Sequence, residues 1–317
     1  MGWNVAVAGV TGAVGQEFLA SSRSAGKPMT FMGKDYAIEE LTAESFNDID
    51  IALFSAGGAI SKEFAPIAAK KGTIVVDNSS AFRMVPSVPL VVPEVNPHAI
   101  QNHHNIIANP NCSTIIALVP VWPLHHANPV RRMVASTYQA VSGAGWKAMQ
   151  ELLQQTQAVL NGQEPQPKAF KWPCAFNVFS HDSAIGEDGY NVEETKLVKE
   201  THKIFNNPNI AITATCVRVP VLRAHSESIN LEFEEPMEVE RAVDLLLQAP
   251  GVTVVDNWEE NYFPMPIEAS GQDDVLVGRI RQDLSIPGKR GLNIWISGDQ
   301  LRKGAALNAV QIAELLV

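Results

Sequence analysis

Apolar positions along this 317-residue chain gather in short runs separated by polar or glycine-rich joints. Residues 4–8, 51–55 and 73–77 are continuous apolar runs of strand length, as expected of strands covered on both faces. Residues 61–71, lying between the second and third, carry helical spacing, so strand, helix and strand follow in the rhythm of a parallel sheet. A further strand-like run at 106–108 passes through the turn Asn109-Pro-Asn111 into an apolar run read as a helix, 112–120. Beyond it, 132–141 alternates as a strand, 147–160 and 192–205 repeat as helices, and 211–221 and 228–233 read as strands. The proline-bearing stretch 163–173 is a surface crossover. Residues 302–316 have period-3.6 apolar spacing and small residues suited to close packing on a sheet.

The joints hold the polar chemistry. Gly9-Val-Thr-Gly-Ala-Val-Gly15 directly follows the first strand, where glycines let backbone approach a pyrophosphate and a helix start attracts its charge. A tight packing turn has the same pattern. Arg23 and Ser24, within the polar stretch 21–27, offer a guanidinium and a hydroxyl suited to a 2′-phosphate, although a solvated loop has the same composition. Two other strand ends, 55–58 and 78–80, are small and polar, and ligands on open parallel sheets lie beyond such ends. Arg83 follows, as an anion clamp or as the partner of a surface carboxylate. Glu193 and Lys196 share one helix face at i,i+3, the spacing of an ordinary exposed ion pair. Cys112 stands where the turn enters the helix, near free backbone N–H groups that favour a thiolate nucleophile. The competing reading is a small buried core residue.

Composition narrows the classes. With 46% hydrophobic and 18% charged residues, the chain is expected to fold around substantial cores. Cys112, Cys174 and Cys216 are odd in number and far apart, fitting neither a disulfide framework nor a paired-cysteine zinc site, so a reducing cytoplasm is the expected home. The first residues lack a signal peptide's basic flank, and no apolar run reaches membrane-spanning length, so neither secretion nor a membrane partner is expected. A net charge of -10 and a pI near 5.3 argue against nucleic-acid binding. The pairs His103-His104 and His125-His126 lack a helical ligand spacing and read as surface residues, so no metal site is expected.

Taken together, several stretches resemble the aspartate-semialdehyde dehydrogenases. They are the glycine loop, 22–27, 77–83, 91–96, 109–113, 138–145, Glu193-Glu-Thr-Lys196, Arg218-Val-Pro-Val-Leu-Arg-Ala-His225 and the last helix. The resemblance implies an α/β fold: a Rossmann-like parallel-sheet cofactor domain, 1–111 with the C-terminal helix 299–317, plus an α+β catalytic and dimerisation domain, 112–298. It implies NADP-dependent, reversible interconversion of L-aspartyl 4-phosphate with L-aspartate 4-semialdehyde and inorganic phosphate, a step toward lysine (through diaminopimelate), threonine and methionine, by a homodimer. By that likeness Cys112 is the acylated nucleophile, His225 the acid/base, and Gln139 a substrate-positioning residue. Arg218 and Glu193 match the groups holding the substrate's carboxylate and amine, and Arg83, Asn111 and Lys196 match the phosphate pocket. Gly9, Thr11, Gly12, Ala13, Val14, Arg23, Ser24, Ser142, Gly143 and Gln300 match cofactor contacts.

The residue types suit that reaction. A thiolate displaces phosphate to give a thioester, which accepts hydride more readily than a carboxylate. Loss of the thiohemiacetal proton calls for a group titrating near neutrality, the expectation for His225. One departure stands out: family members carry more chain between the glycine loop and the Ser-Arg-Ser segment, enough for a helix and a second strand. Either residues are absent beside Leu19, which the retained Arg23 and Ser24 favour, or the second strand is truly lost. N-acetylglutamyl-phosphate reductase shares the Cys/His logic on a longer substrate, but the Glu193/Lys196 helix and the Arg218-to-His225 spacing favour the first family. A family-like scaffold without activity is the non-enzyme alternative.

Overall fold

The computed structural model describes residues 3–9, 28–31, 34–37 and 39–317, with side chains at 3–9 and 39–317. The chain divides into two compact units, Met1–Pro110 with Ala305–Val317, and Asn111–Gly304.

In the first unit, β1 (Val5–Ala8), β4 (Ile51–Phe54), β5 (Ile74–Asp77) and β6 (Ile106–Ala108) form a parallel sheet in the order β1-β4-β5-β6. Between β1 and β4 in sequence lie β2 (Pro28–Phe31) and β3 (Lys34–Ala37), an antiparallel pair forming a separate two-stranded sheet. Helix α1 (Gly58–Lys70) connects β4 to β5. Because alternate strand residues point to opposite faces, the apolar run of β4 feeds two cores. Ile51 and Leu53 join Val76, Ile107, Ala309 and Ile312, the last two from the C-terminal helix Leu307–Glu314. Ala52 and Phe54 join Val75, Phe46, Ala65 and Ala68, the last two from α1. This double burial is why the sequence shows continuous apolar runs here. Gly9 ends β1 at φ +99°, and a Cβ there would fall 2.3 Å from the Ser55 carbonyl carbon, so only glycine lets the two strand ends approach. The connection on which the missing-segment expectation turns, residues 10–27, lies outside the described residues, as do Thr11, Gly12, Ala13, Val14, Arg23 and Ser24.

The second unit opens with α2 (Cys112–Ala127), then β7 (Val130–Gln139), α3 (Trp146–Leu160), β8 (Phe179–Ser180), α4 (Val192–Ile204) and β9 (Ala211–Arg218). It continues through β10 (His225–Phe233), α5 (Val239–Leu247), β11 (Val252–Val254), the short α6 (Pro266–Ala269), β12 (Val275–Gln282) and β13 (Gly291–Gly298). Its seven strands form one mixed sheet, β11-β12-β13-β10-β7-β9-β8. Helix α2 has an unbroken buried run from Ser113 to Val121, as an all-apolar helix must. It lies close on β13, where a Cβ at Gly298 would stand 3.0 Å from Ile116. Along β10, His225, Glu227, Ile229, Leu231 and Phe233 are buried on one face, while Tyr138 and Trp295, their rings 5.3 Å apart, stand on neighbouring strands.

Two features depart from the sequence reading. The stretch 302–316 is not one α-helix: Arg302–Ala306 is a π-helical turn, with the Gly304 N–H donating to the Asp299 carbonyl, before Leu307–Glu314 begins. His125 is a packing residue, stacked on Phe205 at 4.7 Å with its Nδ1 accepting the Val130 N–H. Among the described residues no helix is long and apolar enough to cross a membrane.

Candidate active site

The site is built in the second unit around the start of α2. Asn111 caps that helix, its Oδ1 accepting from the Ser113 and Thr114 N–H groups at 3.0 and 3.3 Å. Cys112 is therefore the first helical residue, half-buried at a terminus whose backbone dipoles favour a thiolate. Cys174 and Cys216 are fully buried; burial pushes the Cys174 thiol up to about 11 and the Cys216 thiol higher still, so both stay protonated. In the native protein a mild alkylating reagent should thus give a single adduct, on Cys112. Labelling of Cys174 or Cys216 at a similar rate would contradict this.

His225, at the start of β10, places Nε2 3.7 Å from the Cys112 Sγ. Its Nδ1 accepts the Ala140 N–H at 3.0 Å, so the neutral ring carries its proton on Nε2, facing the sulfur. Burial, reinforced by the Arg218 charge and opposed by Glu193, lowers its pKa to about 3. The expectation of a group titrating near neutrality does not hold: fully buried beside a guanidinium, His225 is a neutral donor. Gly143 crowds the ring, since a Cβ there would come within 3.2 Å of its Cε1 and Nε2.

Glu193, on the first turn of α4, is not the exposed half of a surface ion pair but is 5% exposed. Its Oε1 accepts from Asn111 Nδ2 at 2.8 Å and from Gln139 Nε2 at 3.2 Å, and its Oε2 from Lys196 Nζ at 3.0 Å. Thr137 donates to Gln139 Oε1 at 3.2 Å, and Glu200 Oε2 accepts the Asn111 N–H at 2.6 Å. Glu193 thereby joins the helix cap, the end of β7 and α4. Burial alone would raise its carboxyl, but the Lys196 charge and the hydrogen bonds from Asn111 and Lys196 hold it well below the usual carboxylate range. Arg218 ends β9, 3% exposed, with Nη1 donating to the Ala140 carbonyl at 2.9 Å, the guanidinium 5.2 Å from the Phe170 ring, and Nε without a partner. A buried guanidinium with an unused donor suits a carboxylate ligand.

Ser142 and Gly143 lie in the 3-10 turn Val141–Ala144, and Gln300 donates to Ser142 Oγ while accepting the Ala224 N–H at 2.9 Å. Gly304 approaches the nucleophile so closely that a Cβ there would stand 3.0 Å from the Cys112 Cβ, a constraint the sequence did not reveal. Arg83 and Gly9 belong to the first unit. Arg83 is buried, with Nε donating to the Asn109 carbonyl at 2.9 Å and Nη2 to the Asn78 carbonyl at 2.8 Å. Sequence reasoning also passed over His181 and Glu227. Neither has a periodic or motif signal.

Glu227, two residues along β10 from His225, is fully buried, and neither carboxyl oxygen has a partner. Burial, with the nearby Glu193 charge adding to it, raises its pKa well above 4.5, so the folded protein holds it neutral. The folded state keeps a proton that the unfolded chain releases above pH 4.5, so Glu227 costs stability as pH rises. Relative to the native protein, Glu227→Gln should gain stability between pH 5 and 8, by up to about 1.4 kcal/mol per pH unit. Denaturant titrations at the two pH values check this, and a difference independent of pH would contradict a neutral Glu227.

Known proteins resemble this chain along its length. Residues 121–303 match the family described as semialdehyde dehydrogenase, dimerisation domain, and residues 17–103 match semialdehyde dehydrogenase, NAD binding domain. An aspartate-semialdehyde dehydrogenase of Synechocystis sp. is 55% identical over 99% of this chain and 97% of its own. The chain belongs to the aspartate-semialdehyde dehydrogenase family. A second family member, from Aquifex aeolicus, is 52% identical over 100% of this chain and 98% of its own. The crystal structure of aspartate semialdehyde dehydrogenase II from Vibrio cholerae, complexed with ASA, superposes with a TM-score of 0.95 at 44% identity, covering 100% of this chain and 98% of that one. The two alignments to relatives run over 329 and 338 positions against 317 residues here, so those family members carry residues without a counterpart in this chain.

Proposed function

We propose that this member of the family interconverts L-aspartyl 4-phosphate and L-aspartate 4-semialdehyde with NADP, through a thioester on Cys112, as a cytoplasmic homodimer. The observation that carries the reading is the Cys112 sulfur at the start of α2, 3.7 Å from a histidine nitrogen whose proton faces it. In the reductive direction the thiolate attacks the acyl carbon, forming the carbon–sulfur bond as the carbon–oxygen bond to phosphate breaks. Phosphate leaves with the electron pair. Arg83, Asn111 and Lys196 are assigned to it, and Arg218 and Glu193 to the substrate's carboxylate and amine, with Gln139 holding Glu193 in place. NADPH, when bound, supplies the hydride that reduces the thioester. Collapse of the reduced intermediate returns the sulfur as a thiolate, and the Nε2–H of His225 stabilises that charge as it forms.

The described residues fit a dinucleotide. Helix α1 starts at the carboxyl end of β4 from Gly57, at φ +88°, with no side-chain cap and no acidic residue in its first turn. Its first N–H groups suit a phosphate. In the first unit Gly9, Thr11, Gly12, Ala13, Val14, Arg23 and Ser24 are assigned to NADP, and in the second Ser142, Gly143 and Gln300.

Purified protein given aspartate semialdehyde, NADP and phosphate should form NADPH only when phosphate is present. In Arg83→Ala and Lys196→Ala the phosphate KM should rise about tenfold, the scale of one charge-assisted contact. Absence of NADPH formation would overturn the activity; unchanged phosphate dependence in both variants would overturn the pocket.

A further inference from the structure

The two-residue strand β8 pairs with the end of β9, Phe179 opposite Arg218, and so leads the following residue, His181, past the guanidinium. The His181 N–H donates to the Cys216 carbonyl at 2.8 Å, which fixes the backbone there. Its Nε2 lies 2.9 Å from Arg218 Nη2. A guanidinium has only donors, so in this contact Nε2 is the acceptor, while Nδ1 lies 3.1 Å from Ser183 Oγ and 3.3 Å from the Ser183 backbone nitrogen. The contact therefore requires a neutral ring. Four charged groups face His181: Arg218 from β9, Glu193 and Lys196 from α4, and Asp182 beside it in sequence. Burial is the largest influence and favours the neutral form, with Arg218 and Lys196 acting the same way against the two carboxylates.

Arg218 is thus held from three sides, by the Ala140 carbonyl on Nη1, by His181 on Nη2 and by the Phe170 ring against its face. Asp182 stands 3.7 Å from Nη2, too far for a hydrogen bond. Of the five guanidinium N–H groups, Nε–H and one on each Nη remain for a ligand. A long side chain whose plane is set before binding loses less entropy when it forms a two-point contact with a carboxylate.

We propose that His181 is a positioning residue for substrate selection, orienting Arg218 so that its free donors meet the carboxylate of the amino-acid aldehyde. The inference rests on the proposed function, since it takes the Arg218 ligand to be that carboxylate. It places the effect in substrate binding and leaves the chemistry at Cys112 untouched.

Steady-state kinetics in the aldehyde-oxidising direction test it, with the native protein, His181→Ala and His181→Gln at saturating NADP and phosphate. His181→Ala should raise the KM for aspartate semialdehyde about tenfold, as expected for one hydrogen bond to a charged group, with kcat and the phosphate KM within about twofold of native. His181→Gln, whose amide oxygen can accept from Nη2, should recover most of that loss. With 3-aminopropanal, which lacks the carboxylate, native and His181→Ala should share one kcat/KM. An unaltered KM in His181→Ala, a loss confined to kcat, no recovery in His181→Gln, or an equal loss on 3-aminopropanal would each overturn the inference while the native activity stood. A native protein inactive on aspartate semialdehyde would overturn the function, and this inference with it.

Discussion

Cys112→Ser should reduce turnover at least about a thousandfold, because an alcohol is a far poorer nucleophile than a thiolate at neutral pH. The substitution is unusually clean in this setting. Serine keeps the same Cβ, so the 3.0 Å approach of Gly304 is undisturbed, and the Asn111 cap uses the N–H groups of Ser113 and Thr114, not the side chain at 112. The thermal midpoint should stay within a few degrees of native, and substrate binding measured by calorimetry should persist. A folded variant with substantial turnover would remove Cys112 from the chemistry, and an unfolded one would show that the residue matters for packing. No other cysteine can substitute, since Cys174 and Cys216 are fully buried as thiols.

His225→Asn should lower kcat by about 10²–10³-fold with little change in KM, the range for removing one donor aimed at a developing negative charge. The asparagine oxygen can still accept the Ala140 N–H, but nothing then donates to the sulfur from the position of Nε2. A pure KM effect would make His225 a binding residue. The same variant reports on the buried ring through stability. The unfolded histidine takes up a proton as pH falls through its ordinary value of 6.5, whereas the folded one does so only near 3. Between those values the unfolded state binds more protons, so the native protein loses stability as pH falls, by up to about 1.4 kcal/mol per pH unit. His225→Asn should be spared that part of the loss between pH 6.5 and 4.

Where local pattern and burial agree, the sequence was readable. Ile51 to Phe54 is apolar at every position because its two faces feed two cores, and the strand-helix-strand rhythm around it is the parallel sheet. The turn before Cys112 was legible because Asn111 is both a turn residue and a helix cap. Glu193 shows the limit: an i,i+3 pair with Lys196 looks the same on an exposed or a buried face, and only tertiary packing makes it a hub for Asn111 and Gln139. The strands β12 and β13 went unread. A bulge between Gly278 and Arg281, with Arg279 at φ 50°, breaks the alternation of β12. His181 sits in irregular chain after a two-residue strand, where no period points to Arg218. The shortened connection after the glycine loop could be seen in the sequence, and intact mass spectrometry addresses it directly. A mass matching 34.4 kDa would favour a true loss of the strand, with weak NADP binding, and a larger mass would favour absent residues.

The central claim is that the acyl group is carried on Cys112. Mixing the protein with aspartate semialdehyde and NADP without phosphate, quenching in acid during the first turnover and measuring the intact and peptide masses tests it most directly. Without phosphate to release the acyl group, the account predicts one aspartyl group added per chain, located on the peptide containing Cys112, in step with one equivalent of NADPH. A full equivalent of NADPH with Cys112 unmodified, or the aspartyl group on another residue, would contradict it.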